Sequence, residues 1–171
     1  IDSSANYGMS VLPMFILMGL FVHKADISNE LYDAANAWLG HLKGGLAHAT
    51  VASCALFAAI SGSSIATVAT MSKVAIPPMR RLGYDDRLSS GSVASAGVLG
   101  VLIPPSVPLV IYGLLTETDI RKLFIATIVP GLLLTLLFIG AVWVTVTLNP
   151  KLGPPGPKLP LAERVRSLKG V

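Results

Sequence analysis

Ala59-Ile60-Ser61-Gly62-Ser63-Ser64-Ile65 interrupts an apolar run that otherwise extends from Leu46 to Met79. As one continuous helix those 34 residues would reach about 51 Å at roughly 1.5 Å per residue, well beyond a hydrocarbon core of about 30 Å. The run has to break, and Ser61-Gly62-Ser63-Ser64 is where breaking is easiest. Glycine leaves helical geometry readily, while serine hydroxyls satisfy freed backbone groups and cap the helix that follows. The arms, Leu46–Ile60 and Ile65–Met79, are then about 15 residues each, short of the roughly 20 needed to span. This predicts a re-entrant helical hairpin over residues 46–79, with its polar tip at mid-membrane depth. Non-helical backbone survives there only when buried in protein or lining a cavity, so the tip is a candidate binding site.

Composition points to the same class. The chain is 53% hydrophobic and 13% charged, with a mean hydropathy of +0.70, which marks an all-α integral membrane protein. In such a chain the net charge of +4 speaks of loop orientation and not of nucleic acid. The single cysteine, Cys54, leaves no basis for an internal disulfide or a cysteine metal site and reads as packing. The sequence opens on Ile1-Asp2-Ser3-Ser4 with no signal peptide before its first apolar run, and reads as a piece of a longer protein.

Outward from the hairpin, residues 1–24 read as a membrane helix centred on Val11 to Val22. Residues 25–45 read as an amphipathic helix, capped by Ser28 or Asn29, with Leu31, Ala35, Trp38, Leu39 and Leu42 at helical spacing. It is expected along the interface, anchored by Trp38. Pro77-Pro78 opens a polar, basic connection, with residues 80–88 as a cytoplasmic loop. Residues 89–115 form a second apolar stretch interrupted at Leu102-Ile103-Pro104-Pro105-Ser106-Val107-Pro108, where adjacent prolines remove backbone donors and force a discontinuous helix. Residues 116–148 supply a short loop and a spanning helix with a possible kink at Pro130-Gly131. Residues 149–171, rich in proline, glycine and basic side chains, read as an extended or disordered cytoplasmic linker. Because a hairpin enters and leaves on one side, eleven of the 13 Lys and Arg residues fall together, with only Arg121 and Lys122 opposite; the hairpin opens from the cytoplasm.

At each break the end of one half-helix presents carbonyls, and the start of the next presents free N–H groups. Carbonyls and hydroxyls suit a hard cation such as sodium, and N–H groups beside serines suit a carboxylate. Substrate contact is expected at Ser63, Ser64, Pro105 and Ser106, near the two helix starts. Both ions can be held without an ionised side chain, in keeping with the absence of Asp, Glu, Lys and Arg from either break. Three other readings compete: a simple kink easing helix packing, a structural or assembly subunit with no transport site, and an intramembrane serine hydrolase. The last needs a base, and His48 lies at the far end of its helical arm, about 20 Å from Ser61. No enzyme activity is expected.

The residues GGLAHATVASCALFAAISGSSIATVATMSKVAIPPMRRLGYDDRLSSGSVASAGVLGVLIPPSVPLVIYG resemble the large membrane subunit of tripartite ATP-independent periplasmic (TRAP) transporters, with GGLA, AAISGSS, MRRLGYD and LGVLIPPSVPLVIYG most specific. Departures fall at His48 and at Ser72-Lys73, outside both breaks. The resemblance implies an ion-transporter-like fold of inverted repeats with an elevator domain, of which this sequence covers the first repeat. It implies sodium-driven import of organic acids, often carboxylates, delivered by a periplasmic binding protein, with a small membrane subunit as partner in a bacterial inner membrane. By position it places a sodium site, mainly of backbone carbonyls, at Ser61, Gly62, Ser63, Gly97, Gly100 and Ile103. No cofactor beyond the coupling ion is implied.

Overall fold

The computed structural model describes residues 27–156 together with Met14, Leu17, Arg164 and Ser167. The membrane helix expected over residues 1–24 and most of the linker expected beyond residue 156 lie outside the described residues. Within them every regular element is helical: α1 (Ile27–Leu39), α2 (Gly45–Ser61), α3 (Ser64–Arg81), α4 (Asp86–Gly97), α5 (Leu99–Leu102), α6 (Val107–Leu115), α7 (Ile120–Leu148) and a 3-10 turn, Pro150–Leu152.

α2 and α3 run antiparallel. Thr50 Oγ1 lies 3.6 Å from Met79 Sδ, near the open ends of the pair, while the two-residue connection Gly62-Ser63 closes the other end. Phe57, Leu46, Met71 and Met79 fill the seam and Leu99 of α5 joins them, all but excluded from solvent. α2 has apolar or small residues on nearly every face and is buried along most of its length, as expected of a helix enclosed by neighbours.

α1 packs against α2. Leu31, Tyr32, Ala34 and Ala37 are buried, whereas Trp38 and Leu42 are exposed and Ser28 lies inside the helix instead of capping it. The small Ala34 and Ala37 permit close approach to α2. α3 also departs from expectation by continuing through Pro77 and Pro78 to Arg81. The two prolines remove hydrogen bonds only to the carbonyls of Lys73 and Val74, near the helix end where Lys73 is exposed to water.

α7 is an uninterrupted helix of 29 residues through Pro130-Gly131, about 44 Å at roughly 1.5 Å per residue. Asp119 caps it, the carboxylate accepting from the Arg121 N–H at 2.9 Å. Leu133, Leu136, Leu137 and Trp143 are each more than half exposed. Such a helix is not the core of a water-soluble domain. It and the interrupted stretch Asp86–Leu115 are both long and apolar enough to cross a membrane.

The beginning of the expected linker is instead folded onto the body. Gly44 N–H donates to the Gly153 carbonyl (3.0 Å), Asp85 N–H to Leu152 (3.1 Å) and Gly156 N–H to Gly40 (2.9 Å). Gly153 fits because a Cβ there would come within 3.0 Å of the Gly44 Cα and 3.1 Å of the Tyr84 ring. Tyr84, expected in a polar loop, is buried at the same junction; its hydroxyl accepts from the Leu46 N–H at 3.2 Å, and burial pushes its ionisation upward.

Candidate functional site

Two chain breaks meet at the closed end of the α2–α3 pair. α2 ends on Ser61, and Gly62 takes the left-handed conformation (φ 61°) that a glycine adopts without strain, its N–H still donating to Ala58 at 3.0 Å. Ser63 is extended and caps α3, its Oγ accepting from the Ala66 N–H at 3.4 Å. Two residues therefore reverse the chain.

The second break follows α5. Ile103 and Ser106 are extended, with a cis bond between Pro104 and Pro105, and α6 starts at Val107. In an unbroken helix the carbonyls of Gly100 and Val101 would receive the N–H groups of residues 104 and 105. Both are proline, so those oxygens cannot be satisfied in that way.

The breaks touch directly. Val107 N–H donates to the Gly62 carbonyl at 3.1 Å, joining the start of α6 to the end of α2. Gly100 lies so close to the tip that a Cβ would sit 2.7 Å from the Ser64 nitrogen and 2.8 Å from the Ser63 carbonyl carbon. One turn earlier, a Cβ on Gly97 would collide with the Val68 side chain. α7 reaches the second break at Gly131, where a Cβ would lie 3.2 Å from Ile103.

Ser61, Gly62, Gly97, Gly100 and Ser106 are buried, and Ser63, Ser64, Ile103 and Pro105 are half-buried. The contacts bring Gly62, Ser63, Ser64 and Gly100 together with the start of α6. Gly97 and Ile103 flank this cluster through Val68 and Gly131, and the geometry gives Pro105 no specific polar partner.

A residue missed in the sequence, Thr67, completes the tip. It is fully buried, with its Oγ1 3.0 Å from Ser61 Oγ and donating to the Ser63 carbonyl at 2.8 Å; its N–H reaches the same carbonyl at 3.0 Å. The Ser63 carbonyl thus already accepts two hydrogen bonds. A hydroxyl four positions after a capping serine was the available signal, since Ser and Thr hydroxyls bond back to the carbonyl one turn earlier.

Ser106 is the opposite case: its hydroxyl is fully buried with no hydrogen-bond partner among the described residues. Nor is any cluster of three His, Cys, Asp or Glu placed to hold a metal among them. What the junction offers is carbonyls, hydroxyls and two helix starts, a donor set suited to a hard monovalent cation and an anion. An open, mainly apolar groove of about 400 Å3 runs beside it past Ser64, Val68 and Gly97. The larger cavity, about 600 Å3 near Asp85, Arg87 and Asn149, is away from both breaks.

Comparison with known proteins identifies the family. The family described as "Tripartite ATP-independent periplasmic transporter, DctM component" matches residues 2–167. The C4-dicarboxylate TRAP transporter large permease protein DctM of Pseudomonas aeruginosa is 44% identical over 164 residues, covering 96% of this chain and 36% of the relative. The isethionate TRAP transporter permease protein DctMQ of Oleidesulfovibrio alaskensis is 45% identical over 128 residues, 75% of this chain and 20% of the relative. The ectoine TRAP transporter large permease protein TeaC of Halomonas elongata is 37% identical over 158 residues, 92% of this chain and 36% of the relative. The chain thus spans about a third or less of the length of these relatives. With helices fit to cross a membrane, two breaks in contact and a family match over nearly its whole length, the chain belongs to the DctM family, the large membrane component of tripartite ATP-independent periplasmic transporters.

Proposed function

We propose that this chain forms part of the transport path of a sodium-coupled secondary transporter, a multi-pass protein of the bacterial inner membrane. It imports organic acids handed over by a periplasmic binding protein and works with a small membrane subunit. In this reading α2 and α3 are a re-entrant hairpin opening from the cytoplasm, the tip lies at mid-depth, and the hairpin moves in an elevator-like domain. The observation that carries the proposal is the Val107 N–H to Gly62 carbonyl bond, which fuses two helix breaks into one polar junction free of ionised side chains.

Physical sign favours an anionic substrate. The starts of α3 and α6 both bring partial positive charge to the junction, in surroundings where screening is slight. A cation bound to the nearby carbonyls adds to that potential, so sodium and substrate each raise the affinity of the other. Relatives named for C4-dicarboxylates, isethionate and ectoine differ too much to fix one acid for this chain.

The test is uptake into proteoliposomes by the complete transporter with its small subunit and binding protein. A C4-dicarboxylate, isethionate and a matched neutral diamide are compared with and without a sodium gradient. Uptake of an acid that depends on sodium and exceeds that of the diamide is expected. Equal uptake of the diamide, or indifference to sodium, removes the mechanism. Orientation is checked by labelling Arg81→Cys, the exposed last residue of α3, which should react only from the cytoplasmic side.

A further inference from the structure

We propose that Thr67 is a positioning residue that fixes the Ser61 hydroxyl as a pure acceptor facing the junction, and so sets the preference of the tip for a cation. The inference rests on the reading of the junction as the sodium site and adds a residue to it. Thr67 has one hydroxyl hydrogen and two close oxygens, the Ser63 carbonyl at 2.8 Å and Ser61 Oγ at 3.0 Å. A carbonyl cannot donate, so a 2.8 Å contact is attractive only if Thr67 gives its hydrogen to Ser63. Ser61 must then give its own hydrogen to Thr67. The chain runs Ser61 to Thr67 to the Ser63 carbonyl, and Ser61 keeps both lone pairs for whatever occupies the junction.

An acceptor-only hydroxyl binds a cation well and cannot donate to the oxygens of an anion. Reversing the chain would leave no hydrogen between Thr67 Oγ1 and the Ser63 carbonyl, two oxygens 2.8 Å apart in a fully buried place. Without the Thr67 hydroxyl, Ser61 loses its fixed acceptor and its hydrogen is free to turn toward the junction. The Ser63 carbonyl loses one of its two hydrogen bonds at the same time.

The experiment uses sodium alone as probe on the purified full-length membrane subunit. Thermal unfolding is followed as sodium chloride replaces choline chloride at constant ionic strength, for wild type, Thr67→Val and Thr67→Ser. Valine keeps the shape and removes the hydroxyl, and serine keeps the hydroxyl. The sodium concentration giving half-maximal stabilisation should rise at least fivefold in Thr67→Val and stay within twofold in Thr67→Ser. A merely structural role would lower the sodium-free melting temperature without moving that midpoint. Should Thr67→Val fail to fold, Thr67→Ala is read alongside Ser61→Ala and the double variant: if the pair acts as a unit, the double variant is no worse than the poorer single one. An unchanged midpoint in Thr67→Val, an equal loss in Thr67→Ser, or full additivity overturns the assignment. A wild-type protein that sodium stabilises no better than choline overturns the sodium reading itself, an outcome distinct from a sodium-responsive protein indifferent to residue 67.

Discussion

At the first break the hydroxyls of Ser61, Ser63 and Thr67 all have partners within seven residues of sequence, whereas at the second the hydroxyl of Ser106 is buried with none. The first break thus pairs these three hydroxyls within its own turn. The second takes its cap from the first, through Val107 and Gly62, and leaves Ser106 unsatisfied. A buried polar group without a partner costs about 1–3 kcal/mol, so its retention calls for an explanation beyond folding. The contrast suggests a division of labour, with one break built as a rigid platform and the other kept open for a guest.

The severest way to break that contrast is to part the two breaks. Gly100→Val would drive its side chain into the Ser63–Ser64 backbone, and uptake by the complete transporter should fall by about two orders of magnitude. Gly91→Ala, which meets no atom within 4 Å, should match wild type in the same assay. Normal uptake by Gly100→Val would mean the breaks need not touch.

A smaller effect is expected within the platform. Gly62→Ala places a Cβ on a left-handed residue at a cost of about 1–2 kcal/mol, lowering the melting temperature in detergent, and Gly62→Asn should be milder. An unaltered melting temperature in the alanine variant would show that the turn is not held as described.

Ser106→Ala sharpens the comparison most, because stability and activity should move in opposite directions. Removing an unsatisfied hydroxyl should leave the melting temperature unchanged or raise it by the equivalent of about 1 kcal/mol, while sodium-dependent uptake falls several-fold. A destabilised variant would reveal a partner for Ser106 and erase the difference between the breaks. The smallest effect is expected far from both. Asp86→Asn removes the 2.7 Å ion pair with Arg80, whose side chains are 64% and 66% exposed, and should leave melting and uptake indistinguishable from wild type.

Both interruptions were legible in the sequence because each opposes local chemistry to its surroundings: four small polar residues, or two prolines, inside long apolar runs. That the two breaks approach one another was expected from the ion site they were read to share, but the bond that joins them was not, since nothing local marks Gly62 and Val107 as partners 45 positions apart. Thr67 escaped because a threonine in the first turns of a helix looks ordinary until the carbonyl it returns to is known to lie in a break. For α1 the helical period was legible but the residues that meet α2 were not, because spacing identifies an apolar stripe and says nothing of whether small residues such as Ala34 and Ala37 pack against a neighbour. Over residues 150–156, proline and glycine signalled an end to the α-helix, which stops at Leu148. They carried no information on whether that backbone would be free or docked, which depends on donors at Gly44 and Asp85 more than sixty residues away.

That docked segment, residues 150–156, has a kinematic consequence. Its carbonyls at Leu152 and Gly153 hold the loops at both feet of the hairpin, one before α2 and one after α3, and its own origin is the last turn of α7. A pair of helices clamped at both feet cannot pivot about its base like a lever. Tilting it against α7 would break these backbone bonds, each worth roughly 0.5–1.5 kcal/mol, and expose the packed ring of Tyr84. Any displacement of the hairpin therefore costs least when hairpin, segment and α7 travel together as one piston, which leaves the shape of the polar junction unchanged.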